Sequence, residues 1–562
     1  MTMKIYDSWD KSRLIEEIQK LSSRKKYGLV WEDKPEDVVE QCKNELPVLE
    51  EVFDRAIETD SLLPTNFIIE GDNYHALSVL NYTHGGKIDV IYIDPPYNTG
   101  ARDWKYNNDF VDGKDSFRHS KWLSFMAKRL ILAKELLTDD GVICVTIDDY
   151  EASHLWMLMD EIFGYENHLG TVVIRNNPKG RMTERKFSLV HEYGLFFGRS
   201  SASEIKKMPV DPSEKTHDYQ QEKNGDWYLA VNLRKQGVDS GAYNKKGVLS
   251  HRFFPIYFDP KTDKISVTKK LPVTIEPIDS RGEKRIWRRA EDVIEKMASD
   301  GDLWVKMTKN GYQLYYKFRG GLDGNRPQTI WTEGHFSASD YGTKILNSVL
   351  GEREKFNYPK APEAIKKSIL SMSNKKNAMV LDFFAGSGTT GHAVMELNKE
   401  DGGNRRFILC TNNENRIAEE VTYPRIKNVI GGYADVEGIP ANVRYFKTAF
   451  VPKSKVSDDT RRELISKSTE MLCMKESTFK KAYDNKKFKI YHNDSQATGV
   501  LFDLDALEEF KERLAQVGLR SSIYVFSLTS DAFLEDFSDL EVVHKIQPIP
   551  EGILEVYRKI FS

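Results

Sequence analysis

Between residues 66 and 200, short apolar runs rich in β-branched residues alternate with helix-like stretches. This alternation constrains the fold more than any other feature of the chain. Lys87-Ile88-Asp89-Val90-Ile91-Tyr92-Ile93-Asp94 reads as a short strand buried on both faces. Trp122, Phe125, Met126, Leu130, Ala133, Leu136 and Leu137 then recur at helical spacing until Asp139-Asp140-Gly141 stops the helix. Val142–Ile147, Thr171–Ile174 and Tyr193–Phe197 supply further strands. Such a rhythm predicts an α/β fold with a doubly wound, mostly parallel sheet. It is lost from about 200 to 345, where Gly, Asn, Tyr, Trp, Lys and Arg dominate and only pieces such as Arg252–Tyr257 look strand-like. It returns at Ala378–Asp382 and Arg406–Cys410, so the middle reads as an insertion into one α/β domain.

The expected organisation is a helical region over 1–65, with Leu14, Ile15, Ile18 and Leu21 at helical spacing. One half of the α/β domain follows over 66–200, the insertion over 201–345 and the other half over 346–450. Val451–Thr469 resembles a polar linker, and 465–562 reads as a small α/β unit with strands near 499–502, 523–526 and 540–543. At 40% hydrophobic and 30% charged residues, the chain is neither disordered nor fibrous. No stretch reaches the ~18 apolar residues of a membrane helix. Met1–Asp10 lacks the apolar run of a secretory signal. Cys42, Cys144, Cys410 and Cys473 are too scattered for a zinc pattern or a disulfide framework, so the reducing cytoplasm is the expected compartment and no metal is expected.

Charge is distributed unevenly. Thr171–Gly320 holds 29 Lys and Arg against 19 Asp and Glu, an excess of ten positive charges in a chain whose net charge is −3. A basic middle in an acidic frame is the footprint of a polyanion-binding face or of a solvated basic domain.

Two motifs carry chemistry. In Asp382-Phe383-Phe384-Ala385-Gly386-Ser387-Gly388-Thr389-Thr390-Gly391, glycines follow a strand and open a helix over 391–397. They let the backbone approach a ligand at a helix N-terminus. Glu414 stands 23 positions beyond Gly391, after the next strand, where a carboxylate grips a ribose diol. A nicotinamide cofactor fits this spacing as well as any other adenosine-containing one. The second motif, Asp94-Pro95-Pro96-Tyr97, ends a buried strand. The two prolines lack N–H donors and fix φ, so the Asp94 carboxylate and the Pro95 carbonyl form a rigid pair of acceptors beside an aromatic ring. That array suits an exocyclic base amine, whose delocalised lone pair becomes nucleophilic when acceptors draw on its hydrogens. Tyr97 is expected to stack on the base.

Asp94-Pro95-Pro96-Tyr97 resembles the catalytic motif of amino-directed DNA methyltransferases, and Phe384-Ala385-Gly386-Ser387-Gly388 their S-adenosylmethionine motif. The order here is catalytic motif, basic insertion, then cofactor motif. It resembles the circularly permuted β group of adenine-N6 and cytosine-N4 enzymes. The longer string Ile91–Gly100 favours adenine, since cytosine-N4 enzymes more often have Ser at the position of Asp94. Tyr27–Glu32, Leu46–Leu49, Asn398–Phe407 and Ile549–Tyr557 resemble Mod subunits of type III restriction–modification systems. The resemblance implies a Rossmann-like methyltransferase with a target-recognition insertion, acting on double-stranded DNA with S-adenosylmethionine. It also implies a homodimer, to which 465–562 contributes, and a separate helicase–nuclease partner. Residue by residue, it places Asp72 near the cofactor's adenine, Glu414 on the ribose diol and Lys360 near the methionine end, with Asp382, Phe384, Ala385, Gly386, Gly388, Thr389 and Thr390 around the cofactor. Ala361 stands where relatives more often have Pro.

The target base must be flipped out of the duplex, and Arg102–Asn108 is a candidate loop to hold it. Arg175, Lys179, Arg181, Arg185, Lys186, Arg285, Arg288 and Arg289 are the candidate phosphate contacts. Competing readings are a stand-alone modification enzyme, a cytosine-N4 methyltransferase, a nicotinamide or flavin oxidoreductase, and a non-catalytic nucleic-acid-binding module. No GxxxxGK[ST] phosphate loop is present.

Overall fold

A computed structural model describes residues 10–12, 14–15, 31–107, 109–180, 187–208, 219–222, 224–244, 246–309, 311–319, 324–353, 355–454, 457–527 and 533–561. The chain divides into two compact units, one of Lys207–Pro327 and the other of everything before and after it.

The larger unit is built on a ten-stranded sheet. In chain order its elements are α1 (Asp37–Asn44), β1 (Glu45–Glu51), β2 (Thr65–Glu70), α2 (Asn73–His84), β3 (Ile88–Ile93), the hairpin β4 (Ala101–Tyr106) and β5 (Asp109–Asp112), α3 (Arg118–Leu136), β6 (Leu137–Ile147), α4 (Ala152–Phe163), β7 (His168–Ile174) and β8 (Glu192–Gly198). After the smaller unit come β9 (Ile330–Trp331), α5 (Pro362–Met372), β10 (Met379–Asp382), α6 (Thr389–Asp401), β11 (Arg406–Thr411), α7 (Tyr423–Gly431) and β12 (Asn442–Pro452). The sheet order is β1-β12-β2-β11-β10-β3-β6-β8-β7-β9. The run from β12 to β6 is parallel throughout.

Side-chain alternation explains why the central strands read as continuous apolar runs. Ile91, Ile93, Ile143, Val145, Leu381 and Ile408 pack in one buried cluster, while Val90, Tyr92, Val142, Cys144, Val380 and Phe407 pack in another. With both faces covered there is no polar face to display. Pro95-Pro96 ends β3, and Pro362 at the first turn of α5 fits where its missing N–H is not needed.

Several expectations are revised. Residues 45–51, expected in a helical region, form β1 and pair antiparallel with β12. Its buried Leu46, Val48 and Leu49 belong to the main core. Ile18 and Leu21 lie outside the described residues. The expected polar linker contains a helix, Ser457–Ser466, because Leu464 and Ile465 bury against the main core. The helix after the glycines starts two residues earlier and ends four later than expected, at Thr389 and Asp401. Arg252–Tyr257 is strand only from Ile256, where Pro255 no longer removes a donor.

The C-terminal part forms a five-stranded mixed sheet, Lys480–Asp484, Phe488–His492, Gln496–Leu501, Arg520–Phe526 and Val543–Ile549 in that order. Its last strand begins where the expected 540–543 strand ends. Tyr557, on the final helix, is buried in the main core with its hydroxyl on the Pro47 carbonyl.

The smaller unit has a four-stranded antiparallel sheet, a three-stranded sheet and the helix Glu291–Ser299. Leu233, Ile256, Trp287, Ile294 and Leu314 form its core. Among the described residues no helix is long and apolar enough to cross a membrane.

Candidate active site

Four neighbouring parallel strands, β2, β11, β10 and β3, bring their carboxyl ends to one edge of the sheet. Past β2 stands Asp72, past β11 Glu414, at the end of β10 Asp382 with the glycines, and past β3 Asp94. Ligands of open α/β sheets bind at such an edge.

At the glycine loop, Gly386 (φ +48°) and Gly388 (φ +75°) adopt left-handed backbone, and Gly388 caps α6. A Cβ at Gly386 would come within 3.3 Å of the Phe356 ring. Ala385 N–H donates to the Cys410 carbonyl (3.0 Å), and Thr422 Oγ1 donates to the Gly386 carbonyl (2.6 Å). Thr389 and Thr390 are buried and serve as internal supports. Thr389 Oγ1 accepts from Arg425 (2.6 Å), and Thr390 Oγ1 donates to Asp382 (2.5 Å). Asp382 also accepts from the Phe384 N–H (3.0 Å). Burial pushes the Asp382 carboxyl up to about 7, against those two hydrogen bonds and helped by the nearby Asp94 charge.

Asp72 caps α2 by accepting from the Tyr74 N–H (2.7 Å) and pairs with buried Arg129 (3.2 Å). Arg129 also forks onto Glu36, reaches Asn73 and lies over the Phe125 ring. Asn73 in turn donates to the Phe383 carbonyl (3.0 Å), so the acid after β2 is tied to the glycine loop. Glu414 is exposed at its strand end. Backbone N–H groups at a helix N-terminus with an exposed carboxylate, Glu414, past the adjoining strand fit a cofactor carrying an adenosine diol.

At the catalytic motif, Asp94 Oδ1 takes three donors: Thr146 Oγ1 (2.6 Å), the Tyr97 hydroxyl (2.7 Å) and Lys360 Nζ (3.1 Å). Among the described residues Oδ2 receives none, and neither does the Pro95 carbonyl. The Pro96 carbonyl accepts from Trp122 Nε1 (2.7 Å). Lys360 is placed here, on the catalytic acid. It donates to the Tyr97 hydroxyl (2.6 Å) and to Glu192. Glu192 also lies 3.0 Å from the Tyr97 hydroxyl and accepts from Asn176 (2.6 Å). Burial disfavours the Lys360 charge, but Asp94 and Glu192 outweigh it and hold its pKa above the usual lysine value. Burial, then the charges of Asp94 and Glu192, hold the Tyr97 hydroxyl well above the usual tyrosine range.

Sequence reasoning missed Glu192 and Thr146. The available signal was a charged residue opening an apolar strand and a lone hydroxyl within another. Of the candidate phosphate contacts, Arg175 and Lys179 are exposed, and Lys179 lies 3.8 Å from Asp340. Arg181, Arg185 and Lys186 lie outside the described residues, as does Asn108. In the smaller unit, Arg285 pairs with Asp279 and Glu283, Arg288 donates to the Asn232 carbonyl, and Arg289 is exposed.

Residues 88–422 match the family model N6_N4_Mtase, described as DNA methylase. The chain belongs to this family. It is a DNA methyltransferase, and its methyl donor is S-adenosylmethionine. It is similar to the type II methyltransferase M.KpnI of Klebsiella pneumoniae, 34% identical over 357 residues, covering 63% of this chain and 82% of that one. It is also similar to the type III EcoPI Mod subunit of Escherichia phage P1, 31% identical over 62% of this chain and 58% of that one. With the StyLTI Mod subunit of Salmonella typhimurium it is 29% identical over 65% of this chain and 55% of that one. The methyltransferase therefore spans little more than half the length of those two Mod relatives.

In this enzyme, bound S-adenosylmethionine supplies an electrophilic methyl group on its sulfonium. Asp94 Oδ1 is saturated, so the carboxylate cannot rotate freely and Oδ2 remains as an open acceptor. Preorganised acceptors of this kind act by positioning and electrostatics. Lys360 keeps its proton, so it cannot take one from the methylated amine.

Proposed function

We propose that the base methylated is adenine, at N6, and that the chain is the modification and recognition subunit of a type III restriction–modification system. The observation that carries the reading is the shared edge of β3 and β10. Asp94 and the glycine loop stand on adjacent parallel strands, an arrangement that supports a methyl donor lying beside an amine held at Asp94. Asp rather than Ser at position 94 supports adenine over cytosine, and the Mod relatives support a separate restriction chain. Double-stranded DNA is the substrate, with the target base flipped out. A homodimer in the cytoplasm is part of the same proposal, and the four free cysteines, all buried, are in keeping with that compartment.

The test is incubation with labelled S-adenosylmethionine and unmodified bacterial DNA, followed by digestion to nucleosides. Label in N6-methyladenine supports the proposal, and label in N4-methylcytosine overturns it. Copurification with a helicase–nuclease chain separates a type III subunit from a stand-alone enzyme.

A further inference from the structure

Asn98 directly follows the catalytic tyrosine. It is fully buried and left-handed (φ +55°), a backbone that asparagine adopts more readily than other side-chain-bearing residues when its amide is hydrogen-bonded. Its side-chain amide donates to Glu151 Oε1 at 2.5 Å and lies 3.4 Å from the Arg118 carbonyl. Glu151, just before α4, has no exposed surface. Two imidazoles flank its carboxylate: His119 Nδ1 at 2.6 Å from Oε1 and His154 Nδ1 at 2.9 Å from Oε2. The rings stack with centroids 4.7 Å apart, and each is about one-third exposed. The cluster thus joins the catalytic turn to the N-terminal ends of α3 and α4.

We propose that Glu151 is a positioning residue for methyl transfer, clamping Asn98 so that Asp94 and Tyr97 keep the shape that receives the target base, with His119 holding the carboxylate in its accepting form. The proposal rests on the methyltransferase reading of the Asp94 site. An uncompensated buried carboxylate is costly; Asn98 and His119 both hydrogen-bond Oε1, while the His154 ring stands 2.9 Å from Oε2 without a hydrogen bond to it. A cation is the other occupant that two imidazoles and a carboxylate suit. Against it, Arg118 Nε donates to His119 Nε2 at 3.2 Å, which leaves the ring proton on Nδ1, facing Glu151. The same guanidinium sets a positive charge beside the site.

The groups facing Glu151 are Asn98 from the turn, Arg118 and His119 from α3, and His154 from its own helix. Burial pushes the Glu151 carboxyl up to about 7, so the accepting form is lost as pH falls through neutrality.

The test uses the full chain with labelled S-adenosylmethionine and unmodified bacterial DNA, together with hydrogen exchange followed by mass spectrometry. In Glu151→Ala, exchange in the 94–100 peptide is expected to rise at least tenfold, with the 386–401 peptide unchanged. Its kcat is expected to fall ten- to a hundredfold while S-adenosylhomocysteine affinity stays within twofold. In Glu151→Gln, kcat at pH 8 is expected to stay within threefold of wild type, and the wild-type fall in kcat below pH 7 to flatten. Unchanged exchange at 94–100, or exchange raised equally everywhere, overturns the clamp. Zinc that raises the melting temperature of the wild type and not of Glu151→Ala also overturns it, in favour of a cation site. If the wild type methylates no DNA, the functional reading fails while the exchange measurement still decides the clamp.

Discussion

Asp94 and Asp382, 288 positions apart in the chain, end neighbouring parallel strands at one edge of the sheet. The negative charge of Asp94 adds to burial in pushing the Asp382 carboxyl up to about 7. The Asp94 turn and the glycine loop therefore share an electrostatic environment as well as a place.

The first prediction concerns Asp94 itself. Asp94→Ala removes the carboxylate that precedes Pro95, and kcat should fall at least about 10²–10³-fold, the usual loss for a preorganised polar group. DNA binding, measured by fluorescence anisotropy, should stay within a few-fold of wild type. Retention of methyl transfer would remove Asp94 from the mechanism.

Gly386→Ala forces a Cβ onto left-handed backbone 3.3 Å from Phe356. Strain of roughly 1–2 kcal/mol is expected, read as a loss of about tenfold in S-adenosylhomocysteine affinity by calorimetry. Wild-type affinity in this variant would mean that the loop does not hold the cofactor.

Asp382 makes stability depend on pH. Its folded pKa is raised, so between about 4 and 7 the folded state keeps a proton that the unfolded chain has lost. Stability should decline as pH rises through that window and level off above it. The difference between wild type and Asp382→Asn in urea unfolding isolates this contribution. Asp382→Asn should gain relative stability towards pH 8 and show no advantage at pH 4.

Lys360 and Glu192 form a buried ion pair, 12% and 3% exposed at their side chains. Removing Lys360 leaves the Glu192 charge buried without its cation, which costs about 3–5 kcal/mol, whereas Lys360 without Glu192 keeps Asp94. In the cycle of Glu192→Gln, Lys360→Met and the double variant Glu192→Gln/Lys360→Met, Lys360→Met alone should lower the melting temperature more than the double variant does. Additive losses in a double-mutant cycle would show that the two side chains are not coupled.

DNA binding should weaken steeply with salt, by roughly 10³-fold or more between 50 and 200 mM if six or more phosphates are contacted. An affinity flat over that range would argue against a basic binding face.

How much of this was legible beforehand follows from the range of each signal. Val90–Ile93 and Val380–Asp382 announce strands buried on both faces, because apolar continuity is a local consequence of having no solvent side. The glycines at 386 and 388 announce a left-handed turn, because few other residues tolerate that backbone. Residues 45–51 were misread, since an antiparallel edge strand is decided by its partner β12 and nearly four hundred intervening residues leave no local trace of that pairing. Glu192, Thr146 and Glu151 stayed hidden for the same reason. Each is a single polar residue whose meaning depends on which buried group it faces.

By itself, then, the order of residues determined the strand–turn–helix chemistry of both motifs and the methyltransferase family they belong to. Only the tertiary structure decided that Lys360 lies on Asp94, that Glu192 neutralises it and that Glu151 grips Asn98. Local sequence sets backbone preference and the pattern of apolar faces, whereas the partner of a buried charge is chosen by packing between segments far apart in the chain.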